Sequence, residues 1–109
     1  MDSTDLSDYK NIYLQTAKEY INSLSSACSK LSVNSSDNEA VNAIHISSHS
    51  LRSQSQVMGF SAIADLSGNI EKASDDILNR INLVDDKFMN LLKNSVDELN
   101  TELSKIEKM

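Results

Sequence analysis

Apolar residues recur along this chain at alternating steps of three and four, the spacing that places them on one face of an α-helix. From about Ser7 to Leu31 the stripe is Tyr13, Ala17, Tyr20, Leu24, Ala27 and Leu31, widened one position on by Leu14, Ile21 and Cys28. A polar break, Ser32-Val33-Asn34-Ser35, closes the segment. Ser36-Asp37-Asn38-Glu39 then has the form of a capping box, in which the Ser36 hydroxyl accepts from the amide three residues on and Glu39 reaches back. The second helix predicted from that start runs to about Met58, with Val41, Ile44, Ser48, Leu51, Ser55 and Met58 along its inner face. Two serines stand there in place of larger groups, which lets neighbouring helices approach closely.

Gly59 is placed to take the left-handed conformation that ends a helix, and Ser61 to cap the next one. The third stripe is Phe60, Ile63, Ser67, Ile70, Ser74, Ile77, Ile81 and Val84, so this helix is expected to reach about Asn82. Asp85 or Asp86 caps a fourth, striped by Phe88, Leu92, Val96, Leu99, Leu103 and Ile106. Links of a few residues favour antiparallel neighbours. The expected fold is all-α: an antiparallel up-and-down bundle of four long helices, the last either an added C-terminal helix or split in two.

Composition narrows the picture. The 109 residues include no proline and two glycines, and no linker or repeat divides them, so a single domain over residues 1–109 is expected. Phe and Tyr make up 5% of the chain, leaving aliphatic side chains to fill the core. Ten Lys and Arg against sixteen Asp and Glu give a net charge of −6, and no basic run offers a grip on nucleic acid. No apolar stretch approaches the ~20 residues that span a bilayer. The opening Met1-Asp2-Ser3-Thr4-Asp5 is acidic, unlike a signal or transit peptide. With Cys28 as its one cysteine, the chain is expected to be cytoplasmic, and monomeric because internal packing consumes the stripes.

Both histidines, His45 and His49, fall on the second helix. On a helical wheel His49 lies roughly 130° from the mean direction of the inner stripe. His45, Arg52, Ser53 and Gln56 surround it within about 60°, and Ile46 stands beside them as an outward apolar residue. An exposed histidine is more often a solvated surface residue than a site. A metal site formed by His45 and His49 is the second reading, but no third ligand is evident and His45-Ile46-Ser47-Ser48-His49 lacks the Glu of a zinc-protease helix. No metal is therefore expected at this pair.

The third reading comes from the surrounding sequence. His49-Ser50-Leu51-Arg52-Ser53-Gln54-Ser55-Gln56-Val57-Met58-Gly59-Phe60 resembles the core motif of histidine phosphotransfer domains: His, any residue, Leu, Lys, Gly, then a Gly ten after the His. The pattern is nearest to the N-terminal phosphotransfer domain of the chemotaxis histidine kinase CheA. There, a hydrophobic-Gly-Phe turn leads into a helix matched here by Ala64-Asp65-Leu66-Ser67-Gly68-Asn69-Ile70-Glu71, and Tyr9-Lys10-Asn11-Ile12-Tyr13-Leu14 is similar to the family's first helix.

This resemblance implies that His49 accepts a phosphoryl group from ATP held by a separate histidine kinase catalytic domain and passes it to an aspartate of a response-regulator receiver. It implies that Glu71 orients the imidazole and that Arg52, in place of the family's lysine, offsets phosphate charge. The chain itself then needs no cofactor, and it has no Gly-rich phosphate loop. Ile46, Ser53 and Gln56 are the expected partner contacts, with Ser47, Ser50 and Ser53 giving a low-relief surface. Two residues depart from the family pattern: Ser53 stands where glycine is usual, and Gly68 where the nearest relatives carry a second histidine. The rival from another class is a helical adaptor that keeps the bundle for protein binding alone.

Overall fold

The computed structural model describes residues 5–109, so the opening Met1–Thr4, which bears on the targeting question, lies outside the described residues. Four helices follow in order: α1 (Asp5–Val33), α2 (Asn38–Met58), α3 (Ser61–Leu78) and α4 (Asp86–Glu107). Among the described residues there is no strand, and α4 runs unbroken. Each helix packs against two neighbours in the cyclic order α1–α2–α3–α4, and α2 with α3 is the most extensive pairing. The bundle is elongated, 49 × 22 × 19 Å.

The predicted stripes form its core. Ala17, Leu24, Ile44, Leu51 and Leu99 are wholly excluded from solvent, and Ile21, Val41, Ile63, Ile70, Leu92 and Leu103 nearly so. Between α2 and α3 the inner face is lined with small polar residues, since Ser48, Ser55, Ser67 and Ser74 are all fully buried. Ser48 returns its hydroxyl to the Ile44 carbonyl at 2.7 Å, and Ser74 to that of Glu71 at 2.8 Å, so each remains paired as it lets the helices close up. Ser55 Oγ lies 2.7 Å from the Tyr13 hydroxyl, tying α1 to α2 inside the core. Burial raises the Tyr13 pKa above its ordinary value, against the smaller opposing effect of this bond.

Three predicted boundaries move. Asp37, not Ser36, caps α2: its Oδ1 accepts from Ala40 N at 3.0 Å. Ser36 is taken up in the preceding turn, where its amide donates to Asn34 Oδ1 at 3.0 Å, so the cap slips one residue. Ser61 does not cap α3 but is its first residue. Gly59, at φ 80°, donates to the Gln56 carbonyl, and Phe60 N donates to that of Ser55. This two-residue reversal leaves Phe60 as both the end of one turn and the start of the next helix.

The third helix stops at Leu78, four residues short of Asn82. Arg80 takes a left-handed φ of 62°, its amide donating to Ile77 O and that of Ile81 to Asp76 O, the same pattern as at Gly59 with no glycine to signal it. Ile81 is consequently exposed rather than on the stripe, and Val84 packs on the core from the link. Asp85 caps α4, accepting from Phe88 N at 2.9 Å. No helix is long and apolar enough to cross a membrane among the described residues.

Candidate functional site

The two-residue reversal at Gly59 sets the register of α2 against α3. Residues about equally far from it face each other: His49 lies ten positions before Gly59 and Glu71 twelve after. Ser48 and Leu51 are fully buried on the inner side of α2, and the helical turn between them throws the His49 ring outward. On α3, Ile70 anchors the core side while Glu71 leans across the seam.

The outcome is a bonded triad of side chains. His49 Nδ1 lies 2.6 Å from Glu71 Oε2, and Arg52 Nε donates to Glu71 Oε1, also at 2.6 Å. Arg52 Nη2 is 3.4 Å from the same His49 Nδ1. A carboxylate only accepts, so Nδ1 carries the proton and has no lone pair left for the arginine. The short bond to Glu71 is therefore the hydrogen bond, and the Arg52 contact is a charge neighbour. Burial pushes the Glu71 carboxyl upward, but hydrogen bonds from Arg52 and His49 and their charges outweigh it and hold its pKa below the ordinary value.

Exposure is graded across the triad. The Glu71 side chain is 17% exposed, Arg52 32% and His49 54%. With Nδ1–H committed to Glu71, Nε2 keeps its lone pair, and among the described residues it makes no hydrogen bond. This is a nucleophilic nitrogen held on a rigid helix.

A family model, the Hpt domain, matches residues 8–106. The chain belongs to the Hpt domain family. It is a histidine phosphotransfer domain, and its fold is similar to that of the CheA phosphotransferase domain from Thermotoga maritima, with a TM-score of 0.87 and 24% identity over 94% of this chain and 97% of that one. No curated protein sequence matches it.

Within this Hpt domain, His49, Arg52 and Glu71 are brought together, and the remaining predicted residues are not. Ile46 is exposed one turn before His49. Gln56 is exposed two turns beyond it, whereas Ser53 is half-buried and lines a groove against α1 with Tyr9, Ile12, Tyr13 and Val57. Ser47 is buried, because one step along the helix turns it toward the core, so it does not contribute to the low-relief surface. The His45 ring stacks nearly parallel to that of His49 with centroids 6.5 Å apart, and its buried Nδ1 has no partner. Among the described residues no three His, Cys, Asp or Glu side chains converge as metal ligands.

Two contacts had no sequence signal of their own. Arg52 Nε bonds Glu71 Oε1, and Arg52 Cδ lies over Gly68 on α3. The helical register about Gly59, which puts residue 52 opposite residue 68, is the feature from which the second could have been read.

Proposed function

We propose that His49 is the phosphoacceptor of this Hpt domain in a two-component pathway of the chemotaxis type in the cytoplasm. The observation that carries this reading is the 2.6 Å bond from His49 Nδ1 to Glu71 on an otherwise open imidazole. The Nε2 lone pair attacks the γ-phosphorus of ATP bound by a separate histidine kinase domain. An N–P bond forms as the P–O bond to ADP breaks, and ADP leaves with the electron pair. Nδ1 keeps its proton, and the positive charge developing on the ring is offset by the Glu71 carboxylate.

In the second step a carboxylate oxygen of a receiver-domain aspartate attacks the same phosphorus. The N–P electron pair returns to Nε2, and the starting tautomer is restored. The likeness of the fold to a CheA phosphotransferase domain supports a CheA-type kinase as donor. Ile46 and Gln56, exposed on the His49 side of α2, are the proposed receiver contacts, with Ser53 at their edge. The domain carries no cofactor of its own in this scheme.

The test mixes the domain with ATP and a CheA-type catalytic core, then adds a receiver, with His49→Gln as control. Acid-labile, base-stable label on the wild type alone, lost when the receiver is added, is the expected result. An unlabelled wild type would overturn the proposal in favour of the adaptor, for which His49→Gln leaves partner binding intact.

A further inference from the structure

The surface beside His49 carries a second imidazole. His45 stands one turn earlier on α2, half-buried, with its ring 15° from parallel to that of His49 and the centroids 6.5 Å apart. Positions four apart share a helix face. Side chains tilt back toward the helix N-terminus, so a group bonded to the outer edge of the His49 ring is carried toward His45. At 6.5 Å the rings lie at the loose end of stacking distances and gain little from touching each other. Ring contact alone therefore does not account for the pairing.

The two nitrogens of His45 have unlike surroundings. Nδ1 is buried without a hydrogen-bond partner, and Nε2 is not cut off in this way. A neutral imidazole carries one proton, on one nitrogen or the other. On Nδ1 it would be an orphaned buried N–H, the rarest kind of unpaired group; on Nε2 it has water to donate to. His45 is thereby the Nε2–H tautomer. His49 is the opposite one, since its Nδ1–H is committed to Glu71. The same face of α2 thus presents a lone pair at His49 and, one turn away, an N–H donor at His45.

We propose that His45 Nε2–H donates to an oxygen of the phosphoryl group once that group is bonded to His49. The role rests on the phosphoacceptor reading, and it lies along α2, apart from the Glu71 carboxylate. From His49 Nε2, two covalent bonds reach a phosphoryl oxygen, and a charge-assisted hydrogen bond adds about 2.7–2.9 Å, a span suited to rings 6.5 Å apart. Before transfer the donor faces water; afterwards it faces an anion. The bond therefore favours the phosphorylated domain over the free one and shifts the exchange with ATP and ADP toward phosphohistidine. No contact with the kinase can produce that shift, because a catalyst speeds both directions alike.

The experiment compares the full wild-type chain with His45→Gln, which keeps a side-chain N–H donor, and His45→Phe, which keeps a ring and has none. In the unphosphorylated wild type, the ¹⁵N signals of the His45 ring are expected to show Nε2 protonated, and those of His49 to show Nδ1 protonated. With a CheA-type catalytic core and a series of ATP-to-ADP ratios, the equilibrium constant for phosphohistidine is expected to fall about 3- to 10-fold in His45→Phe. His45→Gln should stay within about 2-fold of wild type. Melting curves confirm that each variant is folded.

An equilibrium constant unchanged in His45→Phe would overturn the proposal. Equal losses in the Phe and Gln variants would do so too, since the site would then need the shape of an imidazole and not its donor. A His45 ring protonated at Nδ1 in a wild type that does take label would overturn the donor role alone. A wild type that takes no label would overturn the phosphoacceptor reading itself, and the donor role with it.

Discussion

Replacing Glu71 probes the site most directly, because one carboxylate sets the tautomer and faces the charge that develops on His49. Glu71→Gln keeps the shape but exchanges a charge-assisted bond for a neutral one. Bonds to charged groups contribute about 1.5–3 kcal/mol and neutral ones about 0.5–1.5, so the loss is about 1–1.5 kcal/mol, or about 5- to 13-fold in rate. The amide can also present its NH₂ to Nδ1, which favours the tautomer whose Nε2 is protonated and not nucleophilic. Glu71→Ala removes the bond altogether, for about a 13- to 160-fold loss. The fold should survive both changes, because Glu71 stands at the rim of the seam and Arg52, 32% exposed, can turn to water. The assay is the initial rate of label incorporation at saturating kinase and ATP, with circular dichroism confirming the helices. Rates within about 2-fold of wild type for both variants would refute the assignment of Glu71 to the site.

Other outcomes follow from the same geometry. Leu51→Ala empties a fully buried position beneath His49 and should cost about 2–5 kcal/mol; at about 0.23 kcal/mol/K for 109 residues this lowers the melting temperature by about 9–22 °C, and a drop of only a few degrees would mean the core collapses around the gap. The lowered Glu71 pKa gives a contribution to stability that is complete above the ordinary carboxyl value of 4.5 and is lost as the pH falls through the lower folded value. The stability difference between wild type and Glu71→Gln, measured by denaturant unfolding from neutral to acid pH, should accordingly be constant above 4.5 and shrink below it; a difference independent of pH would contradict the ion-paired state. Ile46→Asp should slow transfer to the receiver without altering the melting temperature, because Ile46 is 55% exposed, and unchanged transfer would remove it from the docking surface.

Much of the bundle was legible in its periodicity. All six residues of the α4 stripe are buried, and Val41, Ile44, Ser48, Leu51 and Ser55 on α2 likewise, because burial on a helix follows from spacing alone. Gly59 announced its reversal because a left-handed residue is cheapest without a side chain. The end of α3 was not legible for the converse reason. Arg80 adopts the same left-handed angle, and Ile81 and Val84 continue the apolar spacing past the true stop. The capping of α2 by Asp37 was also ambiguous, since Ser36 and Asp37 are both good caps and the Asn34 turn decides between them.

The sequence by itself determined that His49 faces outward, that Arg52 shares its face, and that the chain is a helical bundle of the Hpt family. These follow from angles along a single helix and from a motif read in order. Tertiary structure decided what those residues touch. Only the packing of α3 on α2 shows that Glu71 bridges His49 and Arg52 and that Gly68 underlies the arginine, and only that of α1 on α2 shows that Ser53 turns toward α1. Contacts between helices depend on the reach of side chains across a seam, and no periodicity along one strand of sequence encodes that distance.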